Sequence, residues 1–539
     1  MKKWKKYFSA SLLTVVSAAT LAACSNKSST SGTKQTLNWM TKSELQTLDL
    51  SKVTDATSLD QINNSMEGLY RLGKNSKVEN ALATKTEVSK DGKVWHFTLR
   101  KNAKWSNGDP VTALDYVTAW RRTVDPKNSS LDADSYAIIK NGEAISQGKA
   151  PVNSLGIKAL GKYKVQVTLA NPIPYLPQIL EGAQFYPQNS KLVKKLGSKY
   201  GTSSKNLVYN GPFTVSGWTG SNLKWTYKKN PTYWNKKIVD LNKVNVQVVQ
   251  TPSTGVNLFR SGELDYTTLT SDFVKQYQNN SSYHTKVTPT NGYLSFNLKR
   301  KSTGNVHIRR AISRAINKQQ LVKTVLHQGK VSNGIVAANF ITDQATGNDY
   351  RKDAGDLVTY NAKEAKKEWQ LGLKQLGKKK LTLELLTSDI DDAKRVGEFI
   401  QSNLMKNLPG LTLRVRSIPL KSRLSNTTNH NYDFVYGTWQ PSYEDPIDFL
   451  TVGGLFNLAP DYHNANFWKQ IDLARSTYAT DPQKRLNALV NAEKQLIQKD
   501  AFAAPLFQQG TSYLLNKRVK GFQLSPYGNV AYYWNVKMK

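Results

Sequence analysis

Along most of the chain the apolar positions follow two rhythms, and each predicts an element. TLNWM, Val94 to Leu99 (VWHFTL), KYKVQVTL, LKWTYKKN and VNVQVVQ read as strands, most of them alternating apolar with polar residues as one covered face requires. After Leu99, Ser106-Asn107-Gly108-Asp109-Pro110 is turn chemistry. A helix should then begin at Thr112 as N-cap, with Asp115 in its first turn and Leu114, Val117 and Trp120 on its inner face. VHIRRAISRAINKQQLVKTVL predicts one amphipathic helix with Ile308, Ala311, Ile312, Ala315 and Ile316 inward. From Ala362 to Val415 the types alternate: helix (AKEAKKEWQLGLKQL), strand (LTLELL), helix (AKRVGEFIQSNLMKNL), strand (LTLRV). That is the pattern of a partly parallel sheet. DPQKRLNALVNAEKQLIQ predicts a later helix with Asp481 as N-cap. The fold class expected is mixed α/β, in at least two lobes, since 539 residues is long for one core.

The N-terminus departs from both rhythms. MKKWKK followed by YFSASLLTVVSAATLAAC has the basic start, apolar run and small residues of a secretory signal peptide. The run is short for the ~20 apolar residues of a membrane span. Leu21, Ala22 and Ala23 before Cys24 look like a bacterial lipoprotein box, and Cys24 is the chain's only cysteine. The reading is cleavage of residues 1–23 and a lipid thioether on Cys24, with acyl chains such as palmitate as the anchor. Residues 24–35 are then a polar, flexible tether. The body beyond it has no cysteine, so its stability must come from core burial.

Charge sharpens the surroundings. The formal net charge is +36, and loss of Lys2, Lys3, Lys5 and Lys6 with the signal still leaves +32. A basic surface facing anionic surroundings explains this better than nucleic acid, because the chain is secreted and has no long Arg/Lys run. Catalytic and metal motifs are missing. Gly372-LKQL-Gly377-Lys378-Lys379 approaches a phosphate loop, but Lys379 stands where Ser or Thr is needed, and the glycines follow a helix. The six histidines show no metal-ligand spacing, and there is no G-x-S-x-G elbow. No catalytic residue, metal or cofactor is expected. Twelve Trp and twenty-six Tyr favour binding instead.

GKVWHFTLRKNAKWSNGDPVTALDYVTAWRRTVDP resembles a segment of the oligopeptide-binding proteins of bacterial ABC importers, within the peptide/nickel-binding family of extracytoplasmic receptors. YNGPFTVSGW, NPTYWNK, LFRSGELDYTTL, HIRRAISRAINKQQLV and GTWQPSYEDPIDFL continue the resemblance in order. It implies a hinged, two-lobed, periplasmic-binding-protein-like fold closing on a peptide. Lobe 1 would take residues 36–290, with an extra subdomain at about 67–204; lobe 2 would take 291–504, and 505–539 would return to lobe 1. The implied partners are an oligopeptide, ABC permease subunits and, through the lipid, the outer face of the cytoplasmic membrane of a Gram-positive-type cell; no nucleic acid is expected. The implied ligand-binding residues are Trp439, Gln440, Pro441, Ser442, Tyr443, Tyr436, Thr54, Asp55 and Tyr136. Pro441 can donate no N–H. The family's amine-binding Asp corresponds to Ser442, and an upstream arginine that can help bind peptide C-termini corresponds to Tyr436. Glu444 and Asp445 are expected to brace the next helix, with Asp445 at its N-terminus. The alternative is a basic cell-surface adhesion lipoprotein with a vestigial or non-peptide cleft.

Overall fold

The computed structural model describes residues 35–53, 55–74, 77–130, 132–451, 462–525 and 531–539. The expected signal peptide, Cys24, nearly all of the tether, and Thr54 lie outside the described residues. In chain order the strands used below are β1 (Thr36–Thr41), β2 (Ala83–Val88), β3 (Val94–Leu99), β4 (Ile157–Ala159) and β5 (Lys164–Thr168). Then come β6 (Phe213–Ser216), β7 (Lys224–Lys229), β8 (Lys243–Val248), β9 (Tyr266–Leu269), β10 (Tyr283–Phe296) and β11 (Lys330–Val331). The last are β12 (Leu381–Ser388), β13 (Leu411–Ile418), β14 (Phe434–Trp439) and β15 (Ala503–Leu515). They form three main sheets: β1-β8-β7-β6, β2-β3-β5-β4, and β9-β15-β10-β14-β12-β13 with β11 also on β15. The alternating runs of the sequence all become strands, and β12 and β13 pair in parallel as the helix-strand alternation requires.

The helices used below are α1 (Ala56–Ser65), α2 (Ala113–Val124), α3 (Val306–Ala315), α4 (Ala362–Gln375), α5 (Asp391–Asn407), α6 (Leu420–Thr428), α7 (Pro446–Leu450) and α8 (Pro482–Glu493), with further helices and turns between them. Asp115 closes the start of α2, accepting the Thr112 backbone N–H at 2.9 Å. The inner face of α2 differs from expectation. Leu114 is 55 % exposed, while Tyr116, Val117, Trp120 and Val124 are buried. Val117 and Trp120 face inward as expected, and Ala113 rather than Leu114 starts the inner stripe. The single helix expected from Val306 onward is two. Ile316 leaves helical geometry, and the Asn317 side chain accepts the Gln320 N–H to start a new short helix. All five residues expected inward are fully buried nonetheless.

One core joins β10, β12, β13 and β14 to α3, α4 and α5 through Phe296, Ile308, Trp369, Leu385, Ile400 and Phe434. A larger one contains Trp39, Phe97, Trp105, Trp120, Trp218 and Tyr227. The expected lobe boundaries, after residues 290 and 504, fall inside β10 and β15. These two strands pair antiparallel, and their register breaks between Val287 and Asn291, where Pro289 cannot contribute a ladder donor.

Gly372 lies within α4, facing α3, and Gly377 takes a φ of +66° just past the helix end. A Cβ at position 372 would meet Ile308 Cδ1 at 2.6 Å and the Ile308 backbone N at 3.1 Å. Gly372→Val should therefore force α3 and α4 apart and lower stability by about 1–3 kcal/mol. Chemical denaturation that shows no loss would mean the two helices yield freely at this contact.

Candidate functional site

Strand β14 pairs with β10 along its length, from Phe434↔Phe296 to Trp439↔Asn291. On its other side it meets β12 only at Phe434 and Val435. The Asn297 N–H donates to the Asp433 carbonyl, which fixes the alternation of the β10–β14 ladder. Residues 433, 435, 437 and 439 turn their polar backbone groups toward β10; 434, 436 and 438 turn theirs away. The Tyr436 carbonyl is capped by Arg423 Nη1 at 2.6 Å. Thr438, exposed and beyond the reach of β12, keeps its N–H and C=O on an open strand edge.

Past Trp439 the chain turns through Gln440 and Pro441 into α7, which Asp445 caps by accepting the Ile447 N–H at 3.0 Å. Asp445 is buried and also pairs with Arg485 at 2.9 Å. The Arg485 guanidinium sits 4.9 Å from the Tyr175 ring centre, and Tyr175 stacks on Tyr443 with centroids 5.5 Å apart. Tyr175, Gln178, Thr342, Glu444 and Arg485 help to line a cavity of 310 Å³ beside this stack. Asp448, fully buried on α7, accepts the Ser442 N–H at 2.6 Å, and its other oxygen has no hydrogen-bond partner. Burial pushes the Asp448 carboxyl up to about 7, opposed by the Ser442 N–H and reinforced by the Asp445 charge.

An open strand edge beside an aromatic, ion-paired loop suits an extended ligand with a peptide-like main chain. The family model of the bacterial extracellular solute-binding proteins, family 5 (middle region), matches residues 77–454. The chain belongs to that family. It is 32 % identical to the dipeptide-binding protein of Lactococcus lactis subsp. cremoris MG1363, over 98 % of each chain. It is 30 % identical to the probable deoxycholate-binding periplasmic protein YgiS of Escherichia coli K12, over 95 % of each. Among solved structures it is similar to Listeria monocytogenes OppA bound to peptide, with 38 % identity and a TM-score of 0.78, covering 94 % of this chain and 99 % of that one. The fold is the two-lobed one of these receptors.

In this family-5 protein the expected site residues fall into two groups. Tyr436 to Tyr443 form the strand end and loop just described. Trp439 is half-buried, with its indole N–H buried and unpartnered; Gln440 and Ser442 are exposed, and Pro441 is buried. Tyr436 is buried against Phe507, so only its backbone reaches the strand edge. The other group is engaged elsewhere. Asp55 caps α1 through the Ser58 N–H at 2.8 Å. Tyr136 is a correction: it is fully buried against Trp120 and Phe185 and donates its hydroxyl to the Gln184 carbonyl at 2.6 Å, leaving nothing exposed to a ligand. The sequence reading missed Tyr175, Arg423 and Arg485, which reach the loop from remote segments, and the role of Asp448. Asp445 beside a proline was readable because capping is local.

Asp448 makes its contribution to stability fully below the ordinary 3.8, and this is lost as pH rises through about 7. Asp448→Asn keeps an oxygen for Ser442 and cannot ionise. Thermal melts should show the variant gaining on the parent as pH rises through that window. The buried carboxyls of Asp60 and Glu181, each pushed up to about 8, slope the same way in both proteins and cancel in the difference. Parallel melting temperatures across the window would rule out an ionising Asp448.

Proposed function

We propose that this protein is a lipid-anchored receptor that captures oligopeptides between its two lobes and delivers them to an ABC permease. The observation that carries the reading is the open edge at Thr438: main-chain groups common to all peptides can pair there whatever their side chains. The relatives whose names specify dipeptide or bound peptide support it. Anchoring would rest on Cys24, at the outer face of the cytoplasmic membrane. The lobes would be divided within β10 and β15, with 67–204 as the extra subdomain and Ser442, Trp439, Gln440 and Tyr443 beside the ligand. The protein would bind its peptide and release it uncut.

A second reading keeps the fold and changes the cargo, since a relative of similar identity is named for deoxycholate. Native mass spectrometry of the protein as purified separates the two. Peptide masses support the first reading, and a sterol-like mass supports the second.

Closure brings Tyr175, from the expected subdomain, against Tyr443 and Arg485. Tyr175→Ala should therefore weaken peptide binding about tenfold by calorimetry, through loss of stacking and cation–π contact in the closed form. Unchanged affinity would detach this contact from ligand capture. Cys24→Ala should move the protein from the membrane fraction to the culture medium; retention at the membrane would remove the lipid anchor from the reading.

A further inference from the structure

The cations away from the cleft gather on one helix. Helix α4 turns Ala365, Trp369, Gly372 and Leu373 inward and carries exposed Lys363, Lys367 and Lys374 along its outer stripe. Lys366 is exposed beside that stripe, and the loop after the helix adds exposed Lys378, Lys379 and Lys380. Glu364 stands 3.9 Å from Lys367, and Glu368 is turned inward to His307. Among the described residues no carboxylate forms an ion pair with any other lysine of this set. Apolar side chains stand among the charges. Leu371 on α4, Tyr360 just before it and Met405 near the end of α5 are exposed, and Lys406 follows Met405. The end of α5 is held against α4, since Trp369 Nε1 donates to the Pro409 carbonyl at 2.9 Å. Just past the lysine loop, the Leu381 N–H donates to the Gly410 carbonyl at 3.0 Å.

This face lies at the end of the sheet where β12 and β13 begin. β14 runs parallel to β12 and meets it at Leu385 and Leu386, so Thr438 lies at the opposite end. The eight residues of β12 set the two ends roughly 25 Å apart. We propose that the lysine-rich face of α4 docks on an anionic lipid surface, with phosphate headgroups meeting the lysines while Leu371, Tyr360 and Met405 enter the interface. A soluble polyanion would match the charge and leave the apolar side chains in water. Docked in this way, the protein turns its Thr438 edge away from the membrane, toward ligand arriving from outside. It must leave the lipid before the cleft can face a partner in the membrane. The inference goes beyond the peptide reading and does not depend on it.

The test is co-sedimentation of the full chain carrying Cys24→Ala, so that no acyl chain contributes, with vesicles of phosphatidylcholine alone or mixed with phosphatidylglycerol. This protein should favour the anionic vesicles by about tenfold or more and lose the preference at high salt. Adding Lys363→Gln, Lys367→Gln, Lys374→Gln and Lys378→Gln together should lower anionic-vesicle binding about tenfold. A control set with the same loss of charge, Lys158→Gln, Lys194→Gln, Lys195→Gln and Lys199→Gln on exposed residues of the expected subdomain, should cost less than about threefold. Leu371→Ser with Met405→Ser should weaken binding about threefold and leave its salt dependence unchanged. An equal loss in the control set would mean that net charge alone drives binding, and would overturn the assignment to α4. So would equal binding to both kinds of vesicle. If the apolar pair has no effect and soluble polyphosphate binds as tightly as the anionic vesicles, the partner is a soluble polyanion and the lipid assignment fails.

Discussion

Strand β14 keeps β10 beside it to its end but loses β12 after Val435, and the cleft depends on that missing neighbour. A backbone N–H and C=O without partners are costly when buried, so such an edge must face water, a ligand or another strand. Here the edge ends quickly in Pro441, which cannot donate, and in the α7 turn. The exposed main chain is thus short: long enough for the extended ligand proposed above, yet too short an edge for sheet-to-sheet aggregation.

Charge around this edge follows burial more than composition. The chain is strongly basic, but the acids of the loop are engaged in scaffold roles. Asp445 caps α7 and holds Arg485, and Asp448 holds the Ser442 amide. Removing either partner of a buried pair such as Asp445–Arg485 would leave an uncompensated charge, so this part of the loop is fixed before any ligand arrives. Ser442 itself is neutral and exposed, so an amine proposed to bind beside it would meet water or a hydrogen bond weaker than a charged pair. The asymmetry at the two ends of the edge is therefore pronounced: Arg423, with no acidic partner among the described residues, at one end, and a neutral hydroxyl at the other.

The elements were legible wherever their cause was local. Alternation set the strands, and Thr112, Asp445 and Asp481 each announced a helix start because a capping carboxylate or hydroxyl acts within one turn. Leu114 misled because an apolar residue at the start of a helix can point either way, and tertiary packing chose Ala113 instead. The helix break at Ile316 was hidden by uninterrupted amphipathic spacing, although Asn317 carried the capping signal. The site was legible only along one strand and its loop. Arg423, Tyr175 and Arg485 come from separate segments, and nothing in a one-dimensional pattern brings a guanidinium to the Tyr436 carbonyl or a tyrosine ring onto Tyr443.

Closure is the remaining link between structure and function. Contacts between the expected lobes range from a shared buried core, which holds Tyr175 together with Ile447, Phe449 and Leu486, to single pairs at its edge. The Tyr175–Tyr443 stack is worth about 1 kcal/mol, and an ion pair as exposed as Arg395–Asp272 about 1 kcal/mol or less. Single pairs of that size add little to a closed form, and under the proposed division the hinge falls in β10 and β15, whose register breaks around Pro289. A ligand that pairs with the Thr438 edge and touches both lobes adds free energy to the closed form alone, and only such differential binding shifts the population. Under the proposed function the unpaired edge and the Tyr175–Tyr443 contact are thus complementary: a ligand on the edge would favour the form in which the two rings meet.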